Sequence, residues 1–192
     1  RLQGGLARDA RALIGGDAVI SADNQPSIAF EERAKALGLR TTQTLGFPTM
    51  GRADEAQGGA AKLVALKAVG DGYPLRGNMR VAPGPDQPDA VTRDIPPRGT
   101  AWVDAALLVQ LDLRMGQPLL LGDSRFTIDR IVTVEPDRGA GFMSFAPRVM
   151  INAADLPATG LVQPASRLTW RLAVAGDDMA RVNEFSRWAQ QA

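Results

Sequence analysis

Histidine and cysteine are both absent from this chain of 192 residues. Without them there is no ordinary neutral-pH proton shuttle, no thiol nucleophile and neither of the two commonest zinc and iron ligands. Chemistry would have to come from carboxylates, hydroxyls, lysines and arginines in special surroundings, which weighs against an enzyme. Disulfides are impossible, so cysteine usage leaves the redox compartment open. Aromatics make up only 5% of the residues, thin for stacking sugars. A formal net charge of +1 creates no field that would hold nucleic acid. No run approaches the ~18 apolar residues of a membrane span. The most apolar windows, residues 101–113 and 139–151, are broken by Asp104, Gln110 and Arg148. The chain opens on Arg1 without a signal-peptide pattern, which reads as a segment of a longer protein whose membrane helices lie outside it.

What is present suffices for a real core, since 45% of the residues are apolar. Residues 17–23 read as a short strand between Gly15-Gly16 and the Asn24–Pro26 turn. Ser27 is an N-cap candidate for a helix carrying Phe30, Ala34 and Leu37, which Gly38 stops. Residues 41–47 and the nearly continuous apolar run 62–69 read as strands, joined by a polar connection over 49–59. The opening third is therefore β-α-β-β. Residues 82–98, with Pro83, Pro85, Pro88, Pro96 and Pro97, read as an exposed loop that introduces an insertion.

Within that insertion, residues 100–103 are extended, and Asp104 caps a short helix with Leu107, Leu108 and Leu111. Residues 119–121, a turn at 122–124 and residues 125–134 form a hairpin. Phe126, Ile128, Val132 and Val134 are expected on one face, Ile131 and Thr133 on the other. A strand at 148–151 follows. Residues 167–174 alternate as a strand, and Asp177 or Asp178 starts a helix bearing Met179, Val182, Phe185 and Ala189. The fold class expected is α+β. A mixed unit, residues 1–76 with 167–192 (β-α-β-β and β-α), carries a β-rich insertion, residues 77–166.

Five ordered segments carry a family resemblance. They are Gly72-Tyr73-Pro74-Leu75-Arg76-Gly77, Gly99-Thr100-Ala101-Trp102-Val103-Asp104 and Leu111-Asp112-Leu113-Arg114-Met115-Gly116, then Glu135-Pro136-Asp137-Arg138-Gly139-Ala140-Gly141-Phe142 and Phe145-Ala146-Pro147-Arg148-Val149-Met150. Together they resemble the extracytoplasmic domain of YbbP-type ABC transporter permeases. That group, with MacB, FtsX and LolC/LolE, shares a MacB-like periplasmic core domain. The resemblance implies a porter-like unit with an inserted sabre-like unit, placed between the first two membrane helices of a bacterial inner-membrane protein. It implies no catalytic residue set and no cofactor in this domain, with ATP on a separate ATPase subunit. The implied partners are that cognate ATPase, a second permease copy through the membrane region and an envelope protein.

Several local patterns have competing readings. Gly122-Asp123-Ser124 resembles the nucleophile block of GDSL-type esterases, but the chain offers no histidine base, so a polar turn is the reading kept. Close carboxylates at Glu31–Glu32, Asp123/Asp129, Glu135/Asp137 and Asp177–Asp178 read as caps or solvated faces, against a two-carboxylate hydrolase. Gly139-Ala140-Gly141 lacks the lysine and hydroxyl of a phosphate loop. Phe142, Met143 and Phe145 are candidate contacts for hydrophobic cargo or a partner, although anchoring on the core is the favoured expectation. Arg138 and Arg148 flank them and could meet acidic head groups, with solvated surface arginines as the plainer expectation. Trp102, Trp170 and Trp188 read as packing residues. Tyr73, Pro74 and Arg76 form the candidate joint between the two units, where Pro74 restricts its neighbour to extended geometry.

The reading is a non-catalytic extracytoplasmic domain. It would couple ATP-driven movement of membrane helices to the handling of a hydrophobic or lipid-like substrate, and its two ends, Arg1 and Ala192, are expected side by side. Its rivals are a free-standing module for lipid or peptide, which needs a preformed apolar concavity, and a hydrolase using acids alone.

Overall fold

The computed structural model describes residues 10–139 and 145–192. In chain order the elements are β1 (Ala18–Ala22), α1 (Ile28–Ala36), β2 (Arg40–Ala53), β3 (Ala61–Val69), β4 (Met79–Ala82), β5 (Ala90–Thr92), β6 (Thr100–Val103), α2 (Ala105–Leu111), β7 (Pro118–Leu121), β8 (Ser124–Val134), β9 (Arg148–Asn152), α3 (Leu156–Thr159), β10 (Thr169–Ala175) and α4 (Met179–Gln191). The β-α-β-β opening and the β-α ending are present in the order expected. Ser27 accepts from the Ala29 N–H at 3.2 Å and Asp178 from that of Ala180 at 2.9 Å, so both helices start where short polar side chains satisfy free backbone donors.

One mixed sheet runs β1-β10-β2-β3-β9-β6-β8-β4-β5, and β7 pairs with both β2 and β8. That double pairing closes a ring: β2–β3, β3–β9, β9–β6, β6–β8, β8–β7 and β7–β2. The ring is a barrel filled by alternate side chains of each strand. Phe47, Val64, Leu66, Ala101, Val103, Leu119, Leu121, Phe126, Ile128, Val149 and Ile151 all belong to one buried cluster, joined by Leu107, Leu108 and Leu111 of α2. Removing a leucine side chain from such an interior costs about 2–5 kcal/mol.

The barrel takes β2 and β3 from the first segment and β6 to β9 from residues 77–166. No gap in the core separates the two segments. Sliding one against the other would break the five-residue parallel register of β3 with β9 and the β2–β7 pairing.

Beyond β2, the antiparallel pair β1 and β10 continues the sheet, and α1 and α4 cover it. Leu172, Val174, Val182 and Phe185 are buried there, with the Phe30 and Trp188 rings edge to face at 5.1 Å. The chain enters β1 beside the exit of β10, with the Asp17 N–H donating to the Val174 carbonyl at 2.8 Å. Arg1, expected beside Ala192, lies outside the described residues.

Three local readings are corrected. First, β2 continues to Ala53, so the polar connection shrinks to residues 54–60. Pro48 sits inside this long strand opposite Ala65, whose N–H turns away to Pro147. The pair is thus not hydrogen-bonded across to β3, and the missing proline N–H falls in the gap between the β2 residues paired with β10, which stop at Gly46, and those paired with β7, which start at Gly51. Second, residues 82–98 are not all loop, because β4 and β5 pair and β4 extends the sheet from β8. Third, the alternation of β8 changes phase. Ala101 faces Ile128 but Trp102 faces Arg130, leaving Asp129 as an extra residue. Phe126, Ile128 and then Ile131 therefore fill the barrel, Val132 joins a cluster on the other face, and Val134 is exposed.

Candidate functional site

Leu66 and Ala68 point into the barrel, so Lys67, between them, points out of it. It does not reach water. The turn after β8 and the joint after β3 fold over it, and its side chain is only 7% exposed. Its Nζ donates at 2.9 Å to each of Tyr73 Oη, Glu135 Oε2 and Asp137 Oδ2. Tyr73 Oη donates to Asp137 Oδ1 at 2.5 Å, and Arg148 Nε donates to Glu135 Oε1 at 2.8 Å. Arg148 Nη1 reaches the Ala65 carbonyl at 3.0 Å. Two cations and two carboxylates are thus buried in balance, each satisfied by hydrogen bonds, the condition under which a buried ionic group is tolerated.

Burial alone raises the Glu135 carboxyl, but the Lys67 and Arg148 cations together outweigh it and hold the group below its ordinary value. Burial pushes Tyr73 well above the usual tyrosine range, and the Asp137 and Glu135 charges push it further. All these carboxylates face cations, so the cluster binds its own charges and presents no open acid-base pair.

Two further ion pairs lie beside the network, of which the first is bonded to it. Arg138 grips Asp104 with both nitrogens, at 3.1 and 2.7 Å, and Asp104 also accepts from the Arg148 N–H at 2.8 Å. Asp104 stands at the N-cap of α2, yet its side chain caps nothing there because these partners occupy it. Arg76 grips Asp17 at 3.0 and 3.0 Å, and Asp17 also accepts from the Gly176 N–H at 3.0 Å. Burial raises the Asp17 carboxyl, and the Arg76 hydrogen bond, the Gly176 N–H and the Arg76 charge more than reverse that.

The structure therefore places Tyr73 and Arg148 in one network, joins Arg138 to its border through Asp104, and leaves Arg76 in a separate pair with Asp17. Tyr73 and Pro74 are buried, and the peptide between them is cis. The expectation of solvated arginines is corrected. Arg148 is 4% exposed, and Glu135 and the Ala65 carbonyl occupy its guanidinium, leaving no free charge for an acidic head group. Core anchoring is corrected for Phe145, which is 85% exposed. Phe142 and Met143 lie outside the described residues. Lys67 is the residue that sequence reasoning passed over. Its signal was a single cation in the middle of an apolar strand. Glu135 and Asp137 read in sequence as close carboxylates, and only the fold makes them its partners.

A second feature is a groove of about 820 Å³ between α1 and the segment from Ala153 to Val162. Gln43, Leu45 and Trp170 form its floor, since Trp170 of β10 stands opposite Leu45 of β2. Ala68 and Leu156, both members of the barrel cluster, form its inner wall. Glu31 and Asp71 lie on its rim.

These features can be set beside known proteins. The chain is 32% identical over 188 residues to an uncharacterized ABC transporter permease, YbbP, of Escherichia coli strain K12, covering 98% of this chain. It matches a segment of a YbbP-type ABC transporter permease. It spans 22% of that relative's length. No family model matches the chain. Among solved structures, the extracellular domain of the noncanonic ABC-type transporter YknZ from Gram-positive bacteria has a TM-score of 0.54, at 10% identity over 88% of each chain. The periplasmic region of MacB from Actinobacillus actinomycetemcomitans has a TM-score of 0.51, at 8% identity over 94% of this chain and 86% of the other. At these identities the likeness is one of fold. Like those neighbours, this chain is a mixed α/β domain, and no helix among its described residues is long and apolar enough to cross a membrane.

Proposed function

We propose that this domain is the non-catalytic periplasmic part of an ABC transporter permease of the bacterial inner membrane. It passes ATP-driven movement of the membrane helices to a hydrophobic or lipid-like substrate. The observation that carries this reading is the match to a YbbP-type permease along nearly the whole chain, together with the extracytoplasmic-domain fold. ATP binds on a separate cognate ATPase, and a second permease copy assembles through the membrane region.

Within the domain, residues 77–166 are an insertion, yet the barrel and the buried ionic cluster make the whole move as one body. The joint of Tyr73, Pro74 and Arg76 acts as a clamp. It ties the end of β3 to the entry of β1 through Asp17 and to the β8 turn through Asp137. Exposed Phe145 is the contact offered to substrate or to an envelope partner.

The test is reconstitution of the full-length permease with its ATPase in proteoliposomes, with residues 10–192 intact or replaced by a short linker. ATP hydrolysis is expected to persist without the domain while movement of a fluorescent phospholipid is lost. Undiminished lipid movement would overturn the proposal.

The groove favours a second reading, a lipid- or peptide-binding module, because it supplies a preformed concavity with an apolar floor. A stoichiometric ligand retained by the isolated domain in native mass spectrometry would favour it.

A further inference from the structure

From the lining of the groove between α1 and residues 153–162 we infer a binding site for a small amphipathic amine: an ammonium or guanidinium group on an apolar body. This deepens the proposed function by naming a substrate class. It rests on that reading for its role in transport, though not for its binding chemistry.

The volume of about 820 Å³ lies within the span of small-molecule sites, which are concave, largely apolar and marked by a few placed polar groups. Leu45, Ala68 and Leu156 form a surface continuous with the barrel interior, so the apolar part of a ligand would sit against side chains already fixed by packing. Trp170 is half-buried on that floor and presents a large ring.

The charge of the lining decides the head group. Among the described residues the groove has two charged side chains, Glu31 and Asp71, and no lysine or arginine. Glu31 is oriented rather than loose, since Gln43 Nε2 donates to its Oε1 at 2.6 Å. That bond leaves the second carboxylate oxygen available, and no ion pair to either residue forms among the described residues. Elsewhere the molecule pairs its carboxylates readily, as at Asp17, Asp104, Glu135 and Asp137. A cation is the complement this rim lacks. An anionic amphiphile would meet two like charges, and a neutral one would leave them uncompensated. The aromatic floor adds a further attraction for an organic cation.

The test uses this chain, whose core is closed within itself, and three probes with one tail, each below its micelle concentration: dodecyltrimethylammonium, dodecyl maltoside and dodecyl sulfate. Binding is read by calorimetry and by tryptophan fluorescence in the wild type, in Trp170→Phe, and in Glu31→Gln with Asp71→Asn. The cation is expected to bind about tenfold more tightly than the neutral probe, from two partly exposed charge contacts. The charge-neutral double variant should bind the two alike, and Trp170→Phe should lose the fluorescence change. Circular dichroism checks that each variant is folded. Equal affinity for cationic and neutral probes in the wild type overturns the amine assignment while leaving an apolar-cargo role intact. Binding of none of them overturns the site altogether, and the proteoliposome assay then decides the transport reading separately.

Discussion

Replacing Lys67 with methionine probes the buried network most sharply. The side chain keeps similar volume but loses its charge. In the wild type the cluster holds two cations, Lys67 and Arg148, against two carboxylates, Glu135 and Asp137, so its formal charge is zero. The substitution leaves one cation against two anions, a net of −1, and deletes three hydrogen bonds of 2.9 Å. The damage is uneven. Glu135 keeps Arg148 at 2.8 Å, whereas Asp137 keeps only the Tyr73 hydroxyl. Leaving a buried charge without its partner costs about 3–5 kcal/mol. That is a large share of the ~5–15 kcal/mol by which a domain is usually stable. Urea unfolding at pH 7, followed by tryptophan fluorescence, measures the loss. The deficit should shrink in mild acid, because excess buried negative charge is relieved by proton uptake. Adding Asp137→Asn restores the balance and should recover part of the loss. A cost below ~1 kcal/mol, the worth of an exposed pair, would refute the reasoning. So would a double variant no more stable than the single one.

Tyr73→Phe removes the hydroxyl between Lys67 and Asp137 and should cost about 1.5–3 kcal/mol in the same urea assay. Because the Tyr73 value is raised on folding, its contribution is fully present below the ordinary value of 10.0 and is lost as pH rises beyond it. The wild type should therefore weaken in alkali, and Tyr73→Phe should weaken less steeply. Glu135 and Asp17 are held below their ordinary values of 4.5 and 3.8. Their contributions are present above those values and are lost as pH falls through the lower folded ones, so a pH series of urea midpoints should drop in acid and drop less in Glu135→Gln. Gly122, at φ +54° in the β7–β8 turn, faces the Thr159 carbonyl so closely that an added Cβ would collide with it. Gly122→Ala combines that clash with left-handed strain and should cost at least ~1–3 kcal/mol by thermal unfolding.

Much of this architecture was legible because it is local. Caps at Ser27 and Asp178, the apolar stripe of α4 and the 119–134 hairpin all follow from spacings of a few residues. The β8 bulge was not legible, since one unpaired residue, Asp129, leaves the composition unchanged while reversing which side chains face inward. Closure of the barrel depends on β7 pairing with β2, from Gly51 to Ala53 and Leu119 to Leu121, and no local pattern encodes that distant contact. The buried cluster was half legible. Lys67 interrupts an apolar strand, which marks it as unusual, but its carboxylates come from about 70 residues away. Arg148 looks like a surface residue until Glu135 is seen to cover it. The groove follows from how α1 and the 153–162 segment flank one sheet face, a spacing set only by tertiary packing.

The claim that the two sequence segments move as one body has a direct test. The chain contains no cysteine, so within this domain spin labels can be placed singly by substituting exposed Glu32 on α1 and exposed Val109 on α2. Pulsed electron spin resonance on the full-length protein, reconstituted with the proposed ATPase with and without ATP, then reads the distance between the first segment and the insertion. The account predicts superimposable distance distributions in both states, while distances from either label to a membrane helix change. An ATP-dependent shift between Glu32 and Val109 would contradict it.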